Sequence, residues 1–220
     1  MTAGSRIDIM IHIIYMAAGN SRRFGRNKLL EDLGGKPLWR HGFDLAAEAC
    51  RERQGKMTLT VVSREPEILS EAAKIADVET VYSPDSDKGV SYTIGAGIRS
   101  LKRVLAEDVL LFMVADQPML GPTTFRHFLQ EAERLGENGN LTASLCYRDR
   151  PGNPCAFSAE LLPQLLSLEG DQGGRSIVKQ LTCTWVEAES EAELQDIDTQ
   201  DTLRRIRTGA ANTRGRGIVD

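Results

Sequence analysis

Two segments of this chain are so uniformly apolar that they leave few folds open: Ile9 to Met16 (IMIHIIYM) and Val109 to Ala115 (VLLFMVA). Neither alternates polar with apolar residues, so each needs cover on both faces, as a central strand of a parallel sheet has. The surrounding pattern agrees. A helix is predicted from Pro37 to Arg53, a strand from Met57 to Ser63, and a helix from Glu65 to Ala76. A strand over Val78 to Tyr82 and a helix over Ser91 to Ala106 then lead into Val109. Strand and helix alternating in this way predict an α/β fold, with a mostly parallel sheet wrapped by helices.

The second half is less regular. It predicts helices at Pro122–Leu135, Ala159–Leu168, near Gly174 and at Thr199–Arg207, and strands at Leu141–Tyr147, Cys155–Phe157 and Thr182–Glu187. Antiparallel edge strands are expected there. Residues 1–207 read as a single domain. Residues 208–220, rich in Gly, Ala and Arg, are expected to form a disordered tail.

Composition excludes several functions. The chain has 220 residues, 41% hydrophobic and 26% charged, with a formal net charge of -4. A mildly acidic protein is not built to coat nucleic acid or an anionic membrane, so an anionic ligand must meet a local basic patch. The longest apolar run, Ile7 to Ala18, is interrupted by Asp8 and His12 and is too short to span a bilayer. No signal peptide is read in Met1 to Met10. The four cysteines (Cys50, Cys146, Cys155, Cys183) and three histidines (His12, His41, His127) are widely spaced, which argues against a sequence-local zinc site. Reduced thiols and a cytoplasmic location are expected.

In doubly wound sheets ligands bind beyond the carboxyl ends of the strands. The loop leaving the first strand runs Ala17-Ala18-Gly19-Asn20-Ser21-Arg22-Arg23-Phe24-Gly25-Arg26-Asn27-Lys28. Gly19 and Gly25 let backbone N–H groups converge on an anion. Arg22, Arg23, Arg26 and Lys28 place four cations within seven residues, as a polyphosphate requires. The loop is neither a Walker sequence nor GxGxxG; Gly34-Gly35-Lys36 is followed by proline. The second apolar strand stops at Asp116-Gln117-Pro118, which puts a hard carboxylate at the same sheet edge. From the residues alone, a solvated basic loop and a turn-forming aspartate are the alternatives.

The stretch MAAGNSRRFGRNKLL resembles the LAAGxSxRxGxxKLL signature of the MobA-like nucleoside-triphosphate transferases. Leu33-Gly34-Gly35-Lys36-Pro37-Leu38 resembles the same family's GGKPL turn, and Met113 to Pro118 its ADQP segment. The resemblance implies a Rossmann-like three-layer α/β/α nucleotidyltransferase fold of the nucleotide-diphospho-sugar transferase type. It implies that Arg23 and Lys28 bind phosphates and that Asp116 holds Mg²⁺, making these three the catalytic set. Ala17, Ala18, Gly19, Asn20, Ser21, Arg22 and Gly25 complete the nucleotide-binding loop.

Lys88 to Ile98 is similar to the family's GMSSSLRAGL stretch and assigns Gly89, Ser91 and Thr93 to base or phosphate binding. Val90, Tyr92 and Gly95 depart from that pattern. Ser91 as a plain helix cap is the alternative. Pro151 to Phe157 resembles a GHPV-F segment, with Asn153 in place of His. Gly170 to Arg175 resembles GDxGAR, and Asp196 to Asp201 resembles DIDTPEDL. Asp171 or Asp198 could thus bring a second carboxylate to the metal, or each could simply cap or turn the chain.

These later segments are similar to those of molybdenum cofactor cytidylyltransferases and accessory proteins of molybdenum hydroxylases. The implied reaction is CMP transfer from CTP to the terminal phosphate of molybdopterin, with pyrophosphate released. Ala17-Ala18-Gly19, where guanylyl relatives carry AGG, favours CTP over GTP. The alternatives are GTP, a sugar or polyol phosphate acceptor on the same fold, or a non-catalytic molybdopterin chaperone for a hydroxylase client. A dinucleotide oxidoreductase is disfavoured by the missing GxGxxG.

Overall fold

A computed structural model describes residues 9–19, 24–137 and 139–214. The chain begins with β1 (Ile11–Ala17), a single 3-10 turn at Lys28–Leu30, and a minute hairpin of β2 (Asp32–Leu33) and β3 (Lys36–Pro37). There follow α1 (Leu38–Glu52), β4 (Met57–Ser63), α2 (Pro66–Ala72), β5 (Val78–Tyr82), α3 (Val90–Ser100) and β6 (Val109–Val114). The second half comprises α4 (Pro122–Ala132), β7 (Thr142–Tyr147), β8 (Arg150–Ser158), α5 (Leu162–Leu166), α6 (Arg175–Val178), β9 (Cys183–Glu187) and α7 (Gln200–Arg214).

Seven strands form one sheet in the order β5-β4-β1-β6-β8-β7-β9. Both apolar segments are central and adjacent: β1 pairs in parallel with β4 on one side and β6 on the other. Successive residues then enter opposite cores. Ile11, Ile13 and Tyr15 of β1 face α1, α2, α4 and α7, together with Phe43, Ile68, Phe128 and Leu203. Ile14 faces α3, α5 and α6, together with Ile94, Leu165 and Ile177. This is the period-2 geometry of a strand covered on both faces, and it explains why no polar alternation was visible. Each such side chain, fully buried, contributes roughly 1.5–3 kcal/mol. Gly97 lets α3 settle directly on β1, because a Cβ there would lie 2.5 Å from Ile14 Cγ2.

The fold is the three-layer, mostly parallel α/β/α arrangement expected. Its second half differs from expectation in the placement of the antiparallel strand. Only β8 runs against the others among the described residues, and it lies inside the sheet, between β6 and β7. The edge strand β9 is parallel to β7. The cause is local: Arg148 and Asp149 alone join β7 to β8, with Arg148 at φ 53°, so the chain reverses immediately. Buried Cys155, Ala156 and Phe157 then require cover on both sides.

Several boundaries also move, three of them with consequences for the fold. Helix α3 stops at Ser100, where Leu101 turns extended, rather than at Ala106. Strand β8 begins at Arg150, earlier than Cys155, because Pro151 and Pro154 hide it from propensity reasoning. Helix α7 spans Gln200–Arg214, past the expected helix end at Arg207, while 215–220 lies outside the described residues. No helix among the described residues is long and apolar enough to cross a membrane.

Candidate functional site

Strand order reverses at β1: the chain steps outward through β4 and β5, then returns to the other side of β1 as β6. The carboxyl ends of β1 and β6 therefore flank a crevice, the expected place for a ligand in an open α/β sheet. A cavity of about 260 Å³ lies there, with Gly19, Lys28, Gly89, Thr93, Asp116 and Asp171 in its wall. Four separate stretches of sequence thus meet at one point.

Lys28 is the centre of the charge. Buried Phe24 anchors the returning loop, and Gln200 Nε2 donates to its carbonyl at 3.2 Å. Asn27 Oδ1 then accepts from Leu29 N at 3.0 Å and starts the 3-10 turn that fixes Lys28. From that turn Lys28 Nζ donates to Asp116 Oδ2 at 2.7 Å and to Asp198 Oδ1 at 3.1 Å. Burial alone would lower the Lys28 pKa. The charge of Asp116 and the hydrogen bonds to Asp116 and Asp198 outweigh that and hold the ammonium above its usual value.

The carboxylates come from two elements stapled together. Asp116 follows β6, and its carbonyl accepts from Ile197 N at 2.9 Å. Gln117 Nε2 donates to Leu194 O at 3.3 Å and to Asp196 Oδ1 at 2.8 Å. The 194–198 segment is thereby laid along the end of β6, which brings Asp198 to Lys28. Thr199 Oγ1, not Asp198, accepts from Thr202 N at 3.1 Å at the start of α7. Asp196 is exposed as a residue, but its carboxyl is partly withdrawn from water. That withdrawal, followed by the charge of Asp116, pushes its pKa up.

The opposite wall is the start of α3. Gly89 has φ 146°, and a Cβ there would lie 2.1 Å from Gly170 O. This close backbone contact seats the 169–174 loop on the helix and carries Asp171 to the cavity. Ser91 N is committed to Gly170 O at 3.1 Å. Thr93 Oγ1 donates to Ser86 Oγ at 2.8 Å, and Ser86 in turn to Ser83 Oγ at 2.9 Å. The α3 terminus is thus wired internally, and its surface toward the cavity is Gly89, Val90 and Thr93.

Among the expected site residues, Ala18, Gly19, Lys28, Gly89, Thr93, Asp116 and Asp171 share the cavity. Ala17 is fully buried as the last residue of β1, and its carbonyl accepts from Ser63 Oγ at 2.7 Å. Gly25 turns the loop at φ 80°, and Ser91 is buried behind the wall. Asn20, Ser21, Arg22 and Arg23 lie outside the described residues. Ser86, Gln117 and Asp196 were not singled out from sequence. Gln117 was legible as part of Asp-Gln-Pro, whereas Ser86 sits in an undistinguished polar loop. The cysteine chemistry is inert: burial pushes Cys155 up to about 11 and Cys50 up to about 12.

Among the described residues no group of three or more His, Cys, Asp or Glu side chains could hold a metal ion alone. Asp116 and Asp198 instead offer the hard-oxygen pair that suits Mg²⁺ or Mn²⁺ when phosphate and water complete the shell.

The chain is 27% identical over 216 residues to the purine catabolism protein PucB of Bacillus subtilis, covering 88% of this chain and 94% of the relative. It is 33% identical over 102 residues to a 2-C-methyl-D-erythritol 4-phosphate cytidylyltransferase of Rhodopirellula baltica, covering 44% of this chain and 41% of that one. The fold superposes on a Mycobacterium tuberculosis protein crystallised with manganese, at a TM-score of 0.66 and 19% identity over 90% of this chain and 98% of the other. Residues 13–185 match the MobA-like NTP transferase domain, and the chain accordingly belongs to that nucleotidyltransferase family.

Proposed function

We propose that this protein transfers CMP from CTP to the terminal phosphate of molybdopterin and releases pyrophosphate. The observation that carries nucleotidyl transfer is the buried Lys28 ammonium bound to Asp116 and Asp198 in a crevice at the switch point. CTP is favoured by Ala17-Ala18-Gly19 after β1. Molybdopterin is favoured by the Gly170–Arg175 segment, whose Asp171 stands in the cavity wall.

The acceptor phosphate is already anionic at neutral pH, so no strong base is required. Catalysis is then positioning and charge neutralisation. Asp116 and Asp198 would hold a divalent ion such as Mg²⁺, which would supply charge neutralisation of the triphosphate and Lewis-acid polarisation at its α-phosphorus. Lys28 binds the β- and γ-phosphates and steadies the leaving pyrophosphate, a role the family signature gives to Arg23 as well. Gly19 leaves room for a phosphate, since among the described residues nothing lies within 4 Å of where its Cβ would be. Gly89, with no side chain and its loop contact behind it, lets substrate approach the α3 backbone. A molybdenum hydroxylase is the client that such a product serves. The free cysteines suit a cytoplasmic location.

The test is pyrophosphate release with CTP, GTP and ATP, each with and without molybdopterin. The expected result is release only with CTP plus molybdopterin. Equal release with GTP would refute the base assignment, and release driven by a sugar phosphate would refute the acceptor. No release with any pair would point to a carrier rather than an enzyme.

A further inference from the structure

The loop that carries Lys28 is fastened at both ends to a helix from the far end of the chain. Gln200, the first residue of α7, donates from Nε2 to the Phe24 carbonyl at 3.2 Å. Arg207 donates from Nε to the Asp32 carbonyl at 2.9 Å, and its Nη2 lies 3.6 Å from Glu31 Oε2. Glu31 in turn accepts from Arg26 Nη2 at 2.9 Å. Gln200 and Arg207 are two helical turns apart, so they lie on one face of α7, about 10 Å apart along its axis. Between them Leu203 is buried in the same apolar cluster as Phe24, Leu29 and Leu33. Helix α7 thus spans the 3-10 turn that holds Lys28 as a splint would. The family match covers residues 13–185, so this splint lies beyond the matched region. In the DIDTPEDL pattern the position of Gln200 is proline, which has no donor to offer the Phe24 carbonyl.

We propose that Gln200 is a positioning residue which, with Arg207, makes α7 hold the 24–32 loop in its nucleotide-binding arrangement before nucleotide arrives. This rests on the nucleotidyl-transfer reading of the site. Neither side chain lines the crevice, so both act through the loop and not on the substrate. Their effect is on freedom of movement: a tethered loop has less conformational entropy to lose when Lys28 takes up phosphate. A loop without its tether is ordered by the nucleotide instead, at the expense of affinity. Loss of the tether therefore raises the nucleotide KM and leaves kcat, which is set after the loop is ordered, nearly unchanged.

Two substitutions remove the donor without harming the helix. Gln200→Pro places proline at the first helical position, where it is favoured and where the N–H has no intrahelical partner. Gln200→Met keeps the length of the side chain and a good helix former. In nucleotide-free protein, amide hydrogen exchange over Phe24–Glu31 should quicken about three- to tenfold in both, the weight of one ordinary hydrogen bond. Arg207→Met should loosen the Asp32 end, and the double variant Gln200→Pro, Arg207→Met should exceed either alone. In the pyrophosphate assay the CTP KM of the two Gln200 variants should rise by a similar factor, with kcat within about twofold of wild type and the thermal midpoint unchanged. Loop exchange that stays at the wild-type rate in both Gln200 variants overturns the splint. A looser loop with an unmoved KM, or a fall in kcat at constant KM, overturns the positioning role. Failure of the underlying reading looks different: wild type would neither bind nor turn over CTP or GTP. That result would overturn the role in nucleotide binding, while loop exchange would still respond to Gln200→Pro.

Discussion

The two ends of β1 and β6 each carry a cluster of charged or ionisable side chains, buried at the amino ends and partly open to solvent at the carboxyl ends, and the two clusters are built to opposite purposes. At the amino ends, His12 Nε2 donates to Asp108 Oδ2 at 3.3 Å, and its Nδ1 meets Thr58 Oγ1 at 3.0 Å. Asp108 also accepts from Leu105 N at 2.7 Å and Met10 N at 3.1 Å. That carboxylate is taken up by two backbone N–H groups and the His12 ring, so Asp108 pins the 101–108 turn to β1. At the carboxyl ends, Asp116 has one side-chain partner among the described residues, a lysine that phosphate can reclaim. The larger cavity, about 620 Å³, is at the amino ends, beside the saturated cluster. Cavity size therefore does not locate the chemistry. Exchangeable hydrogen-bonding capacity at the switch point does.

Substitution should separate the two ends cleanly. Asp116→Asn is expected to lower turnover by about 10²–10³-fold, the range for losing one transition-state electrostatic contact, with little change in the thermal midpoint. Pyrophosphate assay and calorimetry on the same sample check both halves. Asp108→Ala should do the reverse. Two orphaned backbone donors and a stranded histidine should cost about 3 kcal/mol of stability, measured by urea unfolding. Activity per folded molecule should stay at the wild-type level. If Asp108→Ala instead abolished turnover without loss of stability, the assignment of the two ends would be inverted.

Gly89→Ala sharpens the carboxyl-end account. Its Cβ must displace the Gly170 carbonyl from a backbone position that L residues rarely adopt. Strain of roughly 1–3 kcal/mol is expected. The nucleotide KM should rise more than kcat falls, because the wall moves while Lys28 and Asp116 stay. Kinetics over a CTP series measure that split.

Two smaller effects follow from the shifted pKa values. Lys28 is raised in the folded state, so its contribution is fully present below the ordinary lysine value, about 10.4, and is lost as pH rises through the folded value. Wild type should therefore lose more stability than Lys28→Met in alkaline unfolding titrations above roughly pH 10.5. Asp196 is also raised, and for a carboxyl the sign is the opposite: its charged form is the destabilised one at neutral pH, and acid relieves the cost. Asp196→Asn, which keeps an acceptor for Gln117, should raise the thermal midpoint slightly at pH 7. That advantage should shrink as pH falls toward the carboxylate range. A midpoint that drops at pH 7 would show that the ionised form is needed.

Much of the carboxyl end was legible because its determinants are local. An apolar run that stops at Asp116 fixes both a strand and the carboxylate at its end, and the loop from Ala17 to Lys28 follows another such run. What sequence could not show was commitment. Ser91 reads as a free helix start, yet its N–H belongs to Gly170, and that contact depends on how the second half folds back. Asp198 reads equally well as a cap. Its ion pair with Lys28 spans 170 positions and depends on Gln117 holding the intervening segment. Strand β8 was foreshortened for a different reason. Pro151 and Pro154 are strand-averse in isolation and are tolerated here because they precede Cys155, where pairing with β6 begins, and Pro154 falls at the register shift opposite Ser144 to Cys146 of β7.

The most direct test of the central claim is a crystal structure with CTP and Mg²⁺. The triphosphate should lie in the carboxyl-end crevice, with Lys28 on phosphate oxygens and the metal on Asp116. Nucleotide density in the cavity beside His12 and Asp108, or a metal held without Asp116, would contradict it.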